Sequence, residues 1–562
     1  TSGGGANKYG VIFQFDPAAS AYKVKFDFDD IVSGSAPQSS LIQAKDGKLY
    51  GTTEYGGTHE DGVVFQYDIT TSSYTKKFEF NDLGKLTGKY SIGALIQASN
   101  GMLYGMGYNG GIDNSGVLYK FDPATSTFNK EFDFHQAGNG SRPVGAMIQA
   151  KDKMLYGVTQ FGGIHNNGII YQYDPSFDTY TKKFDFDLTA SGDAPSSLLQ
   201  ATDGKLYGTT AYGGTNDKGV LFQFDPATST YTKKIEFNGT NGSVPVGELM
   251  QLNDGKIYGM TREGGANDQG SLFQFDPASS NFTTKIDFDD TLKGSYPEGG
   301  LTLADGKLYG VTTRGGVNVN NELPDGFGVL FQYDPATNAY TKKIDFDGTA
   351  NGSNPNGTLA KTSDGKLYGM TTSGGVNVAD DPKGYGVIFQ YDPATSAISK
   401  KLDFDGKGNG SNPNGSFLLA SNGNLYGVTS TGGTNNMGVI FQYDAAASNY
   451  TKKMDFTQTS GKLPDHAKLT EVEIINSIPD NSMQLEMHLF PNPGKEQVTI
   501  SLDQRVSSAT LRIMTITGQV LIERTKLAGD RFTLNVTDLS AGVYFAELSE
   551  NGRISRMKLI KE

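Results

Sequence analysis

Over residues 197–237 apolar and polar positions alternate in four short runs, with no helical spacing among them. Residues 197–201 read as a strand. Asp203-Gly204 follows as a tight turn, because Gly at positive φ suits a hairpin between two right-twisted strands. A second strand covers 205–210, a Gly-Gly turn falls at 213–214, and a third strand covers 219–224. Asp225-Pro226-Ala227-Thr228 makes the next turn, since Pro fixes φ and Asp bonds its own downstream backbone. The run "TYTKKIEF" (230–237) then alternates as a half-buried fourth strand.

This unit recurs. Its Tyr-Gly step appears at Tyr50, Tyr104, Tyr156, Tyr207, Tyr258, Tyr309, Tyr368 and Tyr426, with steps of 51 to 54 residues and two of 58 to 59. Four hairpin-linked strands per repeat predict an all-β chain whose main body is a large β-propeller of four-stranded blades; a solenoid of stacked coils is the alternative and suits the hairpins less well. The third-strand pattern Phe/Tyr-x-Phe/Tyr-Asp occurs nine times against eight Tyr-Gly strands, so the chain enters inside a repeat at residues 4–17. A Gly-x-x-Pro signal leads into each first strand, as at Gly242-Ser243-Val244-Pro245, and returns at Gly461-Lys462-Leu463-Pro464. Residues 466–474, "HAKLTEVEI", then stand where a first strand belongs and are expected to form a crossed sheet with residues 11–28. That closure gives nine blades, one of them split between N- and C-terminal strands, with eight as the alternative.

The stretch "DGTANGSNPNGTLAKTSDGKLYGMTTSGG" (347–375) with "GYGVIFQYDP" (384–393) resembles the GloVer tandem repeat of bacterial surface proteins. It is also kelch-like in its Gly-Gly after the second strand and Tyr-Asp-Pro after the third, with Tyr or Phe where the kelch repeat has Trp. The resemblance implies an extracellular repeat protein and no established activity. A second resemblance covers the tail. "LFPNPGKEQVTISL" from Leu489, "ITGQVL" around Gly518, "DLSAGVYFAEL" from Asp538 and the basic end "RMKLIK" look like the C-terminal sorting domain of type IX secretion substrates of Bacteroidetes. The sorting-signal positions are Pro491, Asn492, Pro493, Gly518, Gly542, Tyr544 and Lys558. Read from alternation and turns alone, the tail carries strands at 497–502, 510–515, 531–536 and 542–548, a small immunoglobulin-like β-sandwich. The domain plan is therefore a propeller over 1–475, a polar linker over 476–486 and the sorting domain over 487–562.

Composition narrows the partners. With 73 Gly, 33 Phe, 29 Tyr and no Trp among 562 residues, the chain favours turns and strands. No cysteine is present, so disulfides, thiolate chemistry and Cys-ligated metals are excluded. A formal net charge of -13 argues against nucleic acid, and no apolar run reaches a membrane span. Thr1 follows no basic or apolar leader, which reads as a mature or trimmed product.

Candidate chemistry is sparse. None of the five histidines (59, 135, 165, 466 and 488) has metal-ligand spacing; His59 and His165 share a slot held elsewhere by Asn or Asp, which reads as a turn role. Strand ends such as "FDFDD" (26–30), "IDFDG" (344–348) and "LDFDG" (402–406) cluster carboxylates; calcium is the one cofactor they suggest, although the EF-hand pattern is absent and solvated edge charges explain them too. No catalytic residues and no catalytic motif stand out. The clearest departures from the repeat are the lengthened loops 315–328 and 374–386, which offer a rim patch of Glu322, Asp325, Phe327, Asp380, Asp381 and Tyr385; tolerated insertion is the plainer explanation. The sequence reads as a secreted or cell-surface non-enzymatic propeller for binding, adhesion or structure. Its partners are the type IX machinery, through residues 487–562, and an extracellular ligand or surface protein. The alternatives are a polysaccharide-active enzyme and a subunit of an extracellular filament or surface complex.

Overall fold

The computed structural model describes residues 1–562 apart from 17–20, 84, 321–322, 378–380, 461–468, 473–486, 491–493, 516–519 and 551–552. Every regular element among the described residues is a strand. Contacts divide the chain into two units, Thr1–Glu473 and Ile474–Glu562.

The first unit is a β-propeller. Its strands form eight successive antiparallel sheets, numbered here blade 1 (42–79), 2 (96–133), 3 (141–185), 4 (193–236), 5 (243–287), 6 (302–345), 7 (353–403) and 8 (411–455). In blade 4 the strands Asp193–Gln200, Leu206–Tyr212, Val220–Asp225 and Thr230–Glu236 pair in chain order. The second and third strands are buried nearly throughout and the fourth alternates, as its sequence dictates. Gly208 is required by packing: a Cβ there would lie 2.5 Å from the Phe222 ring and 2.7 Å from the Ser197 carbonyl. The Asp-Gly, Gly-Gly and Gly-x-x-Pro glycines sit at positive φ, so they are turn and packing elements.

Neighbouring blades are joined by repeated aromatic contacts. The Tyr-Gly tyrosine of each blade packs on the last aromatic residue of the next blade's third strand, as in Tyr50–Phe121 (6.0 Å), Tyr207–Phe275 (5.9 Å) and Tyr368–Tyr443 (5.8 Å). A fourth-strand tyrosine also reaches back, Tyr231 Oη donating to the Ser191 carbonyl at 2.8 Å.

The same contacts occur at the seam. Strands Val11–Asp16 and Ala21–Asp27 form a two-stranded sheet. Tyr426 of blade 8 packs on Phe15 at 5.9 Å, and Tyr22 Oη donates to the Ser460 carbonyl at 2.8 Å. On its other side Phe26 stacks on Tyr74 of blade 1 at 3.6 Å. The half-sheet therefore sits between blades 8 and 1. Within residues 466–474, positions 469–472 are described. Glu471 accepts the Ser421 N–H at 2.9 Å, as Gln251 Oε1 accepts the Thr202 N–H at 2.8 Å between blades 4 and 5. Leu469 and Val472 pack into the cores on either side of the half-sheet. The crossed sheet expected with residues 11–28 does not form among the described residues, because the Tyr-Gly strand that lies between first and third strands in the other blades has no ninth copy.

In the second unit, Met487–Phe490, Gln497–Thr515, Val520–Asn535, Gly542–Glu550 and Arg553–Lys561 form one five-stranded sheet. The separate strands expected at 497–502 and 510–515 are a single strand broken by register shifts between Ser501 and Leu511. Its first half pairs with Met487–Phe490 and its second with Gly542–Glu550, yet Val498, Ile500, Leu511, Ile513 and Leu548 share one buried cluster. The five strands are bonded into one continuous sheet, and the two halves of the long strand contribute to the same core. Tyr544 is buried with its hydroxyl on the Ser540 carbonyl at 2.8 Å, and Gly542 opens the same strand. Lys558 lies opposite Phe545 in the ladder. Pro491, Asn492, Pro493 and Gly518 lie outside the described residues.

Candidate functional site

Most repeated polar residues are consumed by the scaffold. The acidic residue ending each fourth strand accepts the N–H of the residue after Gly-Gly, as Asp185 does from Ile164 at 2.9 Å and Asp455 from Thr434 at 2.8 Å. A lysine three residues earlier pairs with the same carboxylate, at 2.6 Å for both Lys182–Asp185 and Lys452–Asp455. Glu79 shows the electrostatic result: partial burial opposes its charge, but the Lys76 ammonium and the Thr58 hydroxyl and N–H outweigh it and hold its carboxyl down at about 2. The second carboxylate of each pair caps the following turn; Asp29, Asp347 and Asp405 all accept backbone N–H groups there. Among the described residues no three His, Asp or Glu side chains gather as a metal site.

The histidine slot belongs to the same loops. Asn267, Asn318, Asn377 and Asn435 donate their amides to the carbonyl of the phenylalanine just beyond the fourth strand. In that slot His59 lies 3.3 Å from Glu79 and His165 lies 3.6 Å from Asp187, while His135 bonds Asp113.

In the lengthened loops, Asp325 is exposed and pairs with Arg314 at 3.2 Å. Asp381 accepts the Lys383 N–H at 2.9 Å. Phe327 is buried, 5% exposed, with its ring against Gly348; Tyr385 is half-buried against Gly406. Both aromatics thus turn into the scaffold. Glu322 and Asp380 lie outside the described residues.

The blades differ most where the chain enters the first strand. The residue before proline in Gly-x-x-Pro, or its counterpart, adopts positive φ in all eight blades: Ala36, Tyr90, Arg142, Ala194, Val244, Tyr296, Asn354 and Asn412, at φ 52 to 57. An inter-blade hydrogen bond imposes this: the Arg142 N–H donates to Ser115 O at 2.8 Å and the Asn412 N–H to Tyr385 O at 2.9 Å. Asn tolerates the left-handed region; Tyr, Arg and especially β-branched Val do not. Beside this residue lies the end of the second strand, where blades carry Tyr55, Asn109, Phe161, Tyr212, Glu263, Arg314, Ser373 and Thr431.

These positions collect arginine and aromatic residues. Residues 1–475 contain three arginines, Arg142, Arg262 and Arg314, and all lie on this rim. Arg142 sits 5.7 Å from the Tyr108 ring and 5.4 Å from Phe161; Arg314 sits 4.9 Å from Tyr296. Blades 3 and 6 build the same pair from opposite positions, Arg on the entry residue in one and on the strand end in the other. Tyr55 and Tyr90 meet edge to face at 5.2 Å. A cavity of 340 Å³ opens beside them, lined by residues of blades 1 to 3. These residues escape a sequence reading because they fall in the Ser-x-Pro entry segments and at the ends of second strands, yet the restriction of the three arginines to this part of the repeat is visible there.

Comparison with known proteins fits this organisation. The Gloeobacter/Verrucomicrobia repeat model matches residues 1–149, 133–323 and 319–475. The secretion system C-terminal sorting domain model matches residues 488–562. No curated protein matches. Similar solved structures include an extracellular domain assigned to a one-component system of B. thetaiotaomicron (11% identity, 99% of this chain and 83% of that chain, TM-score 0.32). A fungal alcohol oxidase of the AA5 family in complex with copper has 12% identity, with 83% of this chain and 96% of that chain covered and a TM-score of 0.33. TolB from Acinetobacter baumannii has 13% identity, with 64% and 77% covered and a TM-score of 0.27. The chain belongs to the Gloeobacter/Verrucomicrobia repeat family, and its tail is a type IX sorting domain, which marks proteins exported to the cell surface or the extracellular space.

Proposed function

We propose that this protein is an exported, non-enzymatic propeller of nine blade positions that binds an extracellular ligand through its variable rim. The observation that supports the reading is the left-handed entry position. Its backbone suits Asn, yet blades 2, 3, 5 and 6 place Tyr90, Arg142, Val244 and Tyr296 there. Strained side chains that the scaffold does not require are the signature of a surface selected for contact. The lengthened loops of blades 6 and 7 extend the same rim, Asp325 lying on Arg314. Residues 487–562 are read by the type IX machinery and the propeller is the passenger.

The test is capture of polysaccharides and outer-surface material by immobilised full-length protein. Saturable binding with the ligand recovered intact is expected; depolymerisation or other turnover overturns the non-enzymatic reading. For export, deletion of 487–562 is expected to retain the protein in the periplasm, and normal surface delivery of that truncation refutes the role of the tail.

A further inference from the structure

We propose that the cavity at the first-strand ends of blades 1 to 3 binds an anionic sugar unit of an acidic polysaccharide, with Arg142 as the residue that recognises the anion. This rests on the reading of the chain as a ligand-binding propeller. The cavity's 340 Å³ falls at the lower end of the ~300–1,000 Å³ usual for small-molecule sites, enough for one sugar residue. Its lining combines an apolar face of Ile92, Met106 and Val144 with the polar side chains of Gln38 and Ser40 and the ring of Tyr108. Such a lining matches a pyranose, which presents C–H groups on one face and hydroxyls at its edge.

Arg142 supplies the charge preference. It is exposed, and its guanidinium lies near two rings, those of Phe161 and of Tyr108, the latter itself a lining residue. Its adjacent Pro143 also lines the cavity. The left-handed backbone and the N–H bond to Ser115 fix where the side chain leaves the chain. The other two rim arginines are neutralised, Arg262 by Glu263 at 2.9 Å and Arg314 by Asp325 at 3.2 Å. Among the described residues no carboxylate pairs with Arg142. A planar guanidinium beside two rings presents paired N–H donors that match a carboxylate or sulfate. A cation without a paired carboxylate among the described residues, on a chain of formal charge -13, suits a polymer with one anion per sugar over a densely charged nucleic acid. Tyr55 and Tyr90 continue the rim and offer a platform for the neighbouring sugar; Tyr55 is 42% exposed.

Affinity electrophoresis of the full-length protein through gels containing polygalacturonate or neutral dextran tests this. Polygalacturonate is expected to retard the protein and dextran is not. Arg142→Asn, which installs the residue blades 7 and 8 carry in this slot, is expected to weaken retardation about tenfold, the loss typical of a charged hydrogen bond, with melting unchanged or slightly raised. Arg142→Lys is expected to fall between, and Lys183→Ala, on the fourth strand, to have no effect. Equal retardation by dextran, or undiminished polygalacturonate binding in folded Arg142→Asn, overturns the anionic assignment and leaves ligand binding standing. Failure of polygalacturonate to retard the protein overturns the assignment as well; if immobilised protein also captures no surface material, the ligand-binding reading falls with it.

Discussion

Blades 3 and 8 share one backbone and differ at the rim. In blade 8 the entry and strand-end residues are Asn412 and Thr431, and they satisfy one another: Thr431 Oγ1 donates to Asn412 Oδ1 at 2.9 Å, while Asn412 Nδ2 reaches the Thr372 carbonyl of blade 7 at 3.1 Å. In blade 3 the same two positions hold Arg142 and Phe161, which touch only through ring and guanidinium. The polar groups of blade 8 are spent on the scaffold; the Arg142 guanidinium remains available to a ligand. The difference teaches that in a tandem repeat the informative residues are those a given blade does not need.

The largest effect should fall on positions that every blade shares. Tyr207 is fully buried, packs on Phe275 of the next blade, donates to Asp203 at 2.9 Å and accepts from Gln223 at 3.0 Å. Tyr207→Ala should cost about 3–5 kcal/mol by analogy with other buried aromatic truncations, whereas Arg142→Asn should leave the melting midpoint unchanged or slightly raised. Comparable losses in thermal or denaturant unfolding would erase the distinction between scaffold and rim.

Acid provides the next test of the shared positions. The carboxyl of Glu79 is held down at about 2, so its contribution is fully present above the ordinary Glu value near 4.5. It is lost as pH falls from there toward 2. Glu79→Gln should therefore lower the midpoint at neutral pH and flatten its decline across that window. An unchanged acid slope would mean that the Lys76 and Thr58 contacts do not hold the loop.

The seam should respond as an ordinary blade junction, on a smaller scale. Tyr22→Phe removes the bond to Ser460 and Tyr231→Phe the equivalent bond to Ser191; each should cost about 1 kcal/mol, the net worth of one hydrogen bond. A silent Tyr22→Phe beside a measurable Tyr231→Phe would argue against a half-sheet that completes the ring.

Much of this architecture was legible because turn chemistry is local. Asp203-Gly204 and Asp225-Pro226 mark the hairpins of blade 4, and its second to fourth strands run over nearly the expected residues. The first strand begins earlier, at Asp193, because Pro195 can stand on a sheet edge where its missing N–H is not needed. The rim was not legible. A residue before proline is normally driven toward extended backbone, so the left-handed entry residues run against their own local sequence. A carbonyl from the preceding blade imposes that conformation, and no one-dimensional pattern encodes the partner. Phe327 and Tyr385 looked like ligand-facing aromatics for the related reason that only packing against Gly348 and Gly406 turns them inward.

The smallest expected effect bears most directly on why the rim varies. Val244 is β-branched and sits at φ 53, with its N–H donating to the Lys218 carbonyl at 3.1 Å. Val244→Asn keeps that bond and places a residue that tolerates the left-handed region, so it should stabilise blade 5 by up to about 1 kcal/mol. The gain is read from the denaturant midpoint at unchanged slope. Stabilisation would establish that the native residue is not the one the backbone prefers, which is the premise for reading this rim as a contact surface. A neutral or destabilising result would mean that Val244 earns its place through packing, and the strain argument would then rest on Tyr90, Arg142 and Tyr296 alone.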